Sequence, residues 1–257
     1  MFIVTTMKAT PGAVDPAERV ELSFIVPAYN EELELPATLH LLGRAAEAVG
    51  RPFEIIVVDD ASTDATAEVA RAAGARMVAV EHRQIAAVRN AGAAVARGEI
   101  LFFVDADTHV EAGHVTAALA ALAEGCAGGG AVMQLHGATP WWVRAFAPVF
   151  CTIYFTIMNL GAGAFLFTTR GNFAAAGGFD EQFFAGEEIH FTQALKKFGR
   201  FRLLKQPIRT SARKVRMHSA WHLWRRGLII LLGGRSGTLS REKMDLWYDG
   251  KRERDAT

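Results

Sequence analysis

Short apolar runs alternate with stretches of helical periodicity through the first hundred residues of the chain. The run at residues 100–104 is continuously apolar and contains β-branched and aromatic members, a pattern typical of a strand buried on both faces of a parallel sheet. Because strands that alternate with helices are joined by right-handed crossovers, we predict an α/β fold with a mostly parallel sheet. The predicted strands are residues 22–28, 53–58, 76–80 and 100–104. The predicted helices are residues 33–49, a helix capped by residues 62–64 that runs to about residue 73, and residues 84–97.

Polar residues follow three of these strands at the point where each strand ends. In parallel sheets ligands bind beyond the carboxyl ends of the strands, so we expect these residues to form one site. The site is acidic, and an anionic ligand could enter it only with a cation between. The three groups are Tyr29, Asn30 and Glu31, then Asp59 and Asp60, then Asp105, Ala106 and Asp107.

The pair Asp105 and Asp107 is the candidate metal site. In an extended segment two side chains that are two positions apart leave the same side of the backbone, and carboxylates suit a hard divalent cation. The alternative is a polar loop that caps a strand, which is commoner for an isolated Asp-x-Asp. His109 could approach the same ion, although a histidine after a strand is more often an ordinary loop residue.

Composition narrows the function classes. The chain has 257 residues and a net charge of +1, which favours one globular unit and gives no reason to expect nucleic acid as a partner. Its two cysteines, without metal-like spacing, suit a reducing cytoplasm, and the N-terminus lacks a signal-peptide pattern. No Gly-x-Gly-x-x-Gly or Walker-type loop is present, so we expect neither a dinucleotide fold nor a P-loop.

Several motifs, in order, make the chain resemble the family 2 glycosyltransferases. The matching segments are residues 25–31, 56–64, 89–92, 98–99, 105–107, 177–181 and 187–199, and the likeness spans residues 22–204. The resemblance implies a GT-A fold with a Rossmann-like central sheet and a C-terminal acceptor-side subregion. It also implies inverting transfer from a nucleotide sugar, of the hexosyltransferase type, with Mg²⁺ or Mn²⁺ as cofactor.

The resemblance assigns roles on the donor side. Asp60 would accept a hydrogen bond from the base, which suits the uracil of a UDP-sugar or the guanine of a GDP-sugar, because both bases have a donor on that edge. Asp59 would organise the turn. Arg89 would face the nucleotide or its phosphates, unless it merely lies on a solvated helix face. Asp107 would be the more direct metal ligand, and the metal would stabilise the leaving diphosphate. The turn that cradles the nucleotide would comprise Pro27, Ala28, Tyr29, Asn30 and Glu31.

The resemblance also assigns an acceptor side. Glu188 stands where the family usually has an aspartate as general base, and the dipole of a helix that begins at Glu187 would favour its ionised form. Glu187 is the alternative base, and both residues could also be ordinary first-turn acids. Residues expected near the acceptor or the diphosphate are Arg170, Gly171, Asn172, Gly178 and Arg213, although the glycine could simply stop a helix.

The remaining chain suggests a division into segments. We expect a leader at residues 1–20 and a catalytic domain at 21–205, with halves at 21–109 and 110–205. A basic helical extension is expected at 206–257. The apolar residues 145–158 are fewer than the ~20 that span a bilayer and predict a core or interfacial helix. A lipid-linked acceptor and peripheral contact with the inner face of the cell membrane are therefore an alternative to a purely cytoplasmic enzyme with a hydroxyl acceptor.

Two rival functions remain open. Asp105 followed by Asp107 after a strand also fits a haloacid-dehalogenase-like phosphatase, with Asp105 as nucleophile and Asp107 as acid and base. That motif normally follows the first strand of its domain, whereas here three strand-helix units precede it. The second rival is a non-catalytic nucleotide-binding or membrane-docking protein of the same fold, because Glu187-Glu188 departs from the usual Glu-Asp pair.

Overall fold

The computed structural model describes residues 20–213, apart from the side chains of residues 145, 146 and 150. The strands are β1 (Leu22–Ala28), β2 (Phe53–Asp60), β3 (Arg76–Val80), β4 (Ile100–Val104), β5 (Thr108–His109), β6 (Gly128–His136), β7 (Phe165–Thr169) and β8 (Phe201–Ser211). The helices are α1 (Leu35–Val49), α2 (Thr66–Ala72), α3 (Ile85–Val95), α4 (Ala112–Ala123), α5 (Trp141–Cys151), α6 (Arg170–Ala176) and α7 (Glu187–Leu195), and a π-helical segment (Thr152–Ile157) continues α5.

The eight strands within residues 20–213 form one sheet in the order β3-β2-β1-β4-β7-β6-β8-β5. The first four positions are parallel, so the carboxyl ends of β1, β2, β3 and β4 lie at one edge. β7 is antiparallel to β4 and β6, β8 is parallel to β6, and β5 is antiparallel to β8. The predicted α/β architecture, with a mostly parallel sheet flanked by helices, is confirmed.

Alternating strand residues supply two hydrophobic layers, one on each face of the sheet. Phe24 and Phe102 stack with ring centroids 4.7 Å apart on the face covered by α1 and α4. Their neighbours Ile25 and Phe103 point to the opposite face, which α3 and α7 cover. Helix α3 approaches the sheet closely at Gly92, where a Cβ atom would lie 2.8 Å from Val58 Cγ2. This close approach positions the residues of α3 beside the carboxyl edge of the sheet.

The structure corrects the predicted segment boundaries. The predicted boundary between residues 205 and 206 is wrong because β8 continues through it to Ser211. The break in the pattern comes from the exposed Lys205, Gln206 and Pro207. These three residues of β8 stand opposite the single residue 132 of β6, so they form an irregularity in β8. The two predicted halves also share one sheet, because β7 of the second pairs with β4 of the first. Residues 1–19 of the predicted leader and residues 214–257 of the predicted extension lie outside the described residues.

No helix in the described part of the chain is long and apolar enough to cross a membrane. The apolar stretch predicted as a core or interfacial helix forms α5 and the π-helical segment. Pro148 lies inside α5, and the switch to π-helical geometry comes one turn later, at Thr152.

Candidate active site

The loops after β1 and β2 are joined at the carboxyl edge of the sheet. Asn30 has a left-handed backbone with φ 52°, and its N–H donates to Ser62 Oγ at 2.9 Å. The side chain of Asn30 accepts a hydrogen bond from the Thr63 N–H at 2.8 Å, and the Glu31 N–H donates to Thr66 Oγ1 at 2.7 Å. The predicted nucleotide turn is therefore held rigidly against the loop that follows Asp59 and Asp60.

Asp59 and Asp60 are both buried where β2 ends. Asp59 Oδ1 accepts a hydrogen bond from the Ser62 N–H at 3.2 Å, which shapes the turn. Asp60 Oδ1 accepts from the backbone N–H groups of His82 and Arg83 at 2.7 and 3.0 Å. These bonds hold the Asp60 carboxylate in one orientation at the mouth of the site.

Arg83 is a residue of this edge that the sequence reasoning missed. It follows β3, has a left-handed backbone with φ 51°, and its guanidinium lies 4.4 Å from the centroid of the Tyr29 ring. The signal available in the sequence was its place directly after the third predicted strand, because the ends of all parallel strands meet at one edge.

Asp105 and Asp107 lie in a turn, and the predicted extended geometry is wrong. The Thr108 N–H donates to the Asp105 carbonyl at 3.1 Å and closes the turn. The Asp105 side chain is 26% exposed and accepts from Arg89, whereas that of Asp107 is 8% exposed. Asp107 Oδ1 accepts a hydrogen bond from Thr210 Oγ1 at 3.0 Å. The two carboxylates therefore have different partners and different access to solvent.

The buried side chain of Arg89 links two acidic residues of the site, Asp105 and Glu187. Its side chain is 1% exposed, with Nη1 2.6 Å from Glu187 Oε1 and Nη2 2.8 Å from Asp105 Oδ1. Nη2 also donates to the carbonyl of Gly163 at 3.2 Å. The structure corrects both interpretations of Arg89, since the guanidinium neither lies on a solvated face nor points into open space for a nucleotide. It instead neutralises and positions two carboxylates that the chain brings from β4 and α7.

Glu188 follows Glu187 in the first turn of α7 and is partly buried. Burial, together with the negative charges of Glu187 and Asp105, raises the pKa of Glu188 to about 8, although the positive charge of Arg89 opposes the shift. The expectation that the helix dipole would keep this carboxylate ionised at neutral pH is therefore wrong, because desolvation and neighbouring carboxylates outweigh the dipole. Glu187 is committed to Arg89, which leaves Glu188 as the more available of the two.

Arg213 reaches the site from the end of β8. Its Nη2 lies 2.5 Å from Glu31 Oε1 and 3.5 Å from Asp107 Oδ2, and all three side chains are buried. Burial alone would lower the pKa of the Arg213 guanidinium, but its hydrogen bond to Glu31 and the negative charges of Glu31 and Asp107 raise it, so the group stays protonated. The structure thus places Arg213 between the predicted nucleotide turn and the predicted metal motif. Thr210 is the second residue that β8 contributes, through its hydrogen bond to Asp107.

The structure does not bring Arg170, Gly171 and Asn172 to this site, so their predicted acceptor-side location is wrong. β7 runs antiparallel to β4, which puts their carboxyl ends at opposite edges of the sheet. Arg170 Nη2 donates to the carbonyls of Ala96 and Gly98, both at 2.6 Å. Asn172 Nδ2 donates to the carbonyl of Ala127 at 2.9 Å. Both side chains bind the backbone where β4 and β6 begin.

Gly178 lies in the loop after α6 and is held against α3. It has a φ of 71°, and its N–H donates to the Phe173 carbonyl at 3.0 Å. Asn90 binds the same loop, accepting from the Phe179 N–H and donating to the Phe179 carbonyl, both at 2.9 Å. The helix-stop interpretation therefore describes the turn at Gly177 and Gly178 better than direct contact with an acceptor.

The acidic residues fit a divalent cation as part of its ligand set. Within residues 20–213 no three His, Cys, Asp or Glu side chains form a metal-binding group, and His109 stacks on His136 with ring centroids 4.5 Å apart. Burial lowers the pKa of His109, so its ring is neutral at pH 7. The predicted cluster of Asp105, Asp107 and His109 is not present. The two carboxylates remain suitable hard oxygen ligands for Mg²⁺ or Mn²⁺, which take further ligands from water and substrate phosphates.

The architecture is that of the GT-A glycosyltransferases. The structure is similar to that of the mannosyltransferase PcManGT from Pyrobaculum calidifontis, solved in complex with GDP-Man and Mn²⁺. The TM-score is 0.62 and the sequence identity is 22%, over 95% of this chain and 73% of that one. Residues 23–184 match the model of glycosyl transferase family 2, and the chain belongs to this family.

Two curated relatives show which parts of the chain are similar in sequence. The undecaprenyl-phosphate 4-deoxy-4-formamido-L-arabinose transferase of Pseudomonas paraeruginosa is 40% identical over 94 residues, which cover 34% of this chain and 27% of that protein. The validoxylamine A glucosyltransferase of Streptomyces hygroscopicus subsp. jinggangensis is 29% identical over 219 residues, which cover 69% of this chain and 52% of that protein. The chain thus spans about half or less of the length of these relatives.

Proposed function

We propose that the protein transfers a single sugar from a UDP- or GDP-sugar to a hydroxyl acceptor, with inversion at the anomeric carbon. The observation that carries this proposal is the buried Arg89, which holds Asp105 at the end of β4 and Glu187 at the start of α7. Through these two pairs the donor-side carboxylates and Glu188 are drawn to one edge of the sheet. Membership of glycosyl transferase family 2 supports the same reaction class.

On the donor side, the rigid turn at residues 27–31 and the Asp60 carboxylate would bind the nucleoside. Asp60 is an acceptor held in place by backbone N–H groups, which suits a base edge that donates, such as uracil N3 or guanine N1. Asp107 and Asp105 would hold Mg²⁺ or Mn²⁺, which would supply charge stabilisation for the departing diphosphate. A related structure contains GDP-Man and Mn²⁺, in line with this assignment.

On the acceptor side, Glu188 is the proposed general base. Its carboxylate would take the proton from the acceptor hydroxyl as that oxygen attacks the anomeric carbon and the bond to the diphosphate breaks. A pKa near 8 makes the group a stronger base than an ordinary glutamate, at the cost of a smaller ionised fraction at pH 7. Glu187 would act through Arg89 and not on the substrate, because its Oε1 is paired with the guanidinium.

The phosphatase alternative is not favoured. Asp105, which would have to be the nucleophile, is paired with Arg89, and the chain belongs to a glycosyltransferase family. The donor-hydrolysis assay distinguishes the non-catalytic alternative from a transferase. We place the enzyme in the cytoplasm, and the name of the undecaprenyl-phosphate relative supports a lipid-linked acceptor as the second acceptor class.

A thermal-shift and hydrolysis screen of UDP- and GDP-sugars, with and without Mn²⁺ or Mg²⁺, tests the proposal. One donor should raise the melting temperature and be slowly hydrolysed in the presence of metal. Asp107→Asn should abolish the metal-dependent part of both effects. Glu188→Gln should keep donor binding and lower transfer by roughly 10²- to 10⁴-fold, the usual contribution of a general base.

The control is Glu124→Gln, which removes a carboxylate from an exposed ion pair with Arg202 far from the site. It should behave as wild type in every assay. Binding of a nucleotide sugar without any turnover would establish the non-catalytic alternative. Near-normal transfer by Glu188→Gln would remove Glu188 from the role of base.

A further inference from the structure

Large apolar side chains are exposed along α5 and the π-helical segment. The exposed fractions are 79% for Trp141, 60% for Val149 and 71% for Ile157, although side chains of this kind are usually buried. We call this surface the α5 patch, and it comprises Trp141, Val149, Ile153, Ile157, Met158 and Phe198. An exposed apolar surface of several adjoining side chains indicates an interaction site.

The geometry of the helix gathers these side chains on one side. Val149, Ile153 and Ile157 recur at every fourth residue and therefore line one face of the continuous helix. Phe155, on the other side of the π-helical segment, is buried and anchors it to the protein. Lys196 Nζ donates to the Met158 carbonyl at 3.0 Å, so the end of α7 adjoins the patch and adds the exposed Phe198 to it.

The charge around the α5 patch is positive. Residues 125–179 contain no Asp or Glu at all, and residues 125–213 contain nine Lys or Arg against four Asp or Glu. Two of those four acids, Glu187 and Glu188, belong to the active site and do not face the surface patch. Arg144 lies on α5, Lys197 directly precedes Phe198 of the patch, and Arg200 follows two residues later, and all three are exposed. An apolar face flanked by exposed cationic side chains is complementary to an anionic lipid surface.

The same helix also reaches the catalytic carboxylates. Tyr154 lies on the π-helical segment between the exposed Ile153 and the buried Phe155, and its hydroxyl donates to the Gly161 carbonyl at 3.0 Å. The Gly161 N–H in turn donates to Thr192 Oγ1 of α7 at 3.2 Å, so the segment packs against the helix that carries the proposed base. Burial and the nearby charges of Glu188 and Glu187 raise the pKa of Tyr154. An acceptor held at the α5 patch would thus lie close to Glu188.

We propose that the α5 patch docks on the surface of an anionic lipid bilayer. Its apolar side chains enter the boundary between headgroups and acyl chains, and the flanking cationic side chains contact the anionic headgroups. Docking itself does not depend on the proposed function. Its consequence rests on that function, namely that a lipid-linked acceptor hydroxyl is presented to Glu188 from the membrane. Docking itself is measured without donor, metal or turnover.

Co-sedimentation of the full chain with vesicles tests the docking. Wild type should bind vesicles of equal parts phosphatidylglycerol and phosphatidylcholine more tightly than vesicles of phosphatidylcholine alone, and high salt should weaken the binding. The double variant Ile153→Glu, Ile157→Glu should lose roughly tenfold or more in vesicle affinity, because two apolar anchors become charged. Lys197→Gln with Arg200→Gln should weaken binding to the anionic vesicles alone, by about fivefold for each residue.

Leu33→Glu is the matched control, since Leu33 is another exposed large apolar residue, at 50%, and lies outside the α5 patch. It should sediment as wild type does. Ile157→Cys carrying an environment-sensitive fluorophore gives a second readout and should show a blue shift on anionic vesicles, whereas the same label on Leu33→Cys should not.

Three results would overturn the proposal. They are equal binding of the wild type and the Ile153→Glu, Ile157→Glu variant, absence of wild-type binding to either vesicle, and a wild-type dimer in sedimentation velocity that this variant makes monomeric. The last would assign the α5 patch to contact between two copies. If the Ile153→Glu, Ile157→Glu variant loses vesicle binding but still hydrolyses the donor, docking is supported. If the wild type hydrolyses no donor, the proposed transferase activity is contradicted, but the result of the vesicle assay is unaffected.

Discussion

Arg89 Nη1 lies 2.6 Å from Glu187 Oε1, although 98 residues of chain separate the two. The guanidinium is buried and also binds Asp105, so one positive charge is shared by two carboxylates and lies close to a third, Glu188. A buried ion pair of this kind is strongly coupled to both partners, since removal of one member leaves an uncompensated charge in a medium of low polarity.

Replacement of Arg89 by methionine should therefore destabilise the protein by about 3–5 kcal/mol. The partly exposed Asp105 and the buried Glu187 lose their counter-charge, and urea unfolding should show a lower midpoint with an unchanged slope. The double variant Arg89→Met, Glu187→Leu should recover part of the loss, because it removes one of the two orphaned carboxylates. An equal or larger loss in the double variant would show that the pair with Glu187 contributes nothing.

The pH dependence of transfer should follow the titration of Glu188. Its pKa is raised from 4.5 to about 8, so the ionised base is scarce at pH 6 and increases through pH 8. We expect kcat/KM to rise with pH to a plateau, with a midpoint near pH 8 in the free enzyme. Arg89→Lys should leave the midpoint near its wild-type position because it keeps the positive charge. Arg89→Met should move it upward, a shift that loss of folding alone would not produce.

The same titration predicts how stability depends on pH. A carboxyl group whose pKa is higher in the folded than in the unfolded protein favours folding below its unfolded pKa and loses that contribution as pH rises through the folded value. Glu188→Gln should thus melt close to wild type at pH 5 and at a higher temperature than wild type at pH 9. A melting difference that does not change with pH would contradict the raised pKa.

Arg213 and a divalent cation should compete for Asp107. Arg213 Nη2 lies 3.5 Å from Asp107 Oδ2, and its removal leaves Asp107 and Glu31 as buried negative charges. Arg213→Met should therefore melt lower than wild type without metal, and Mn²⁺ should raise its melting temperature more than it raises that of wild type. Asp107→Asn is the comparison, and Mn²⁺ should have little effect on it. An equal effect of Mn²⁺ on wild type and Arg213→Met would exclude competition.

Two glycines in helices should respond in opposite directions to substitution by alanine. Gly92 of α3 has no room for a methyl group, since a Cβ atom would lie 2.8 Å from Val58 Cγ2, so Gly92→Ala should cost about 1–3 kcal/mol. Gly43 of α1 has nothing within 4 Å of the same position, so Gly43→Ala should stabilise by about 0.5–1 kcal/mol. Chemical denaturation measures both, and destabilisation by both variants would contradict the packing described for α3.

The parallel half of the sheet was accessible from the sequence because its signals are local. Buried apolar runs such as residues 100–104 predict strands, and glycines such as Gly50 and Gly74 predict helix ends. Each of these signals lies within a few residues. The helices and strands after His109 were harder to predict from the sequence. β6 and β8 were not predicted, because glycines at 128–130 and the polar residues 205–207 interrupt the pattern that a strand normally shows, and α4 was not predicted either.

By itself the sequence determined the α/β class, the family resemblance and the edge of the sheet at which the acidic residues gather. All of these follow from periodicity and from motifs within short stretches. Only the tertiary structure decided that Arg89 serves two carboxylates, that Arg213 lies against Asp107, and that Arg170 belongs to the opposite edge. The physical reason is that pairing partners, strand direction and burial depend on contacts between residues far apart in the chain, which no local pattern records.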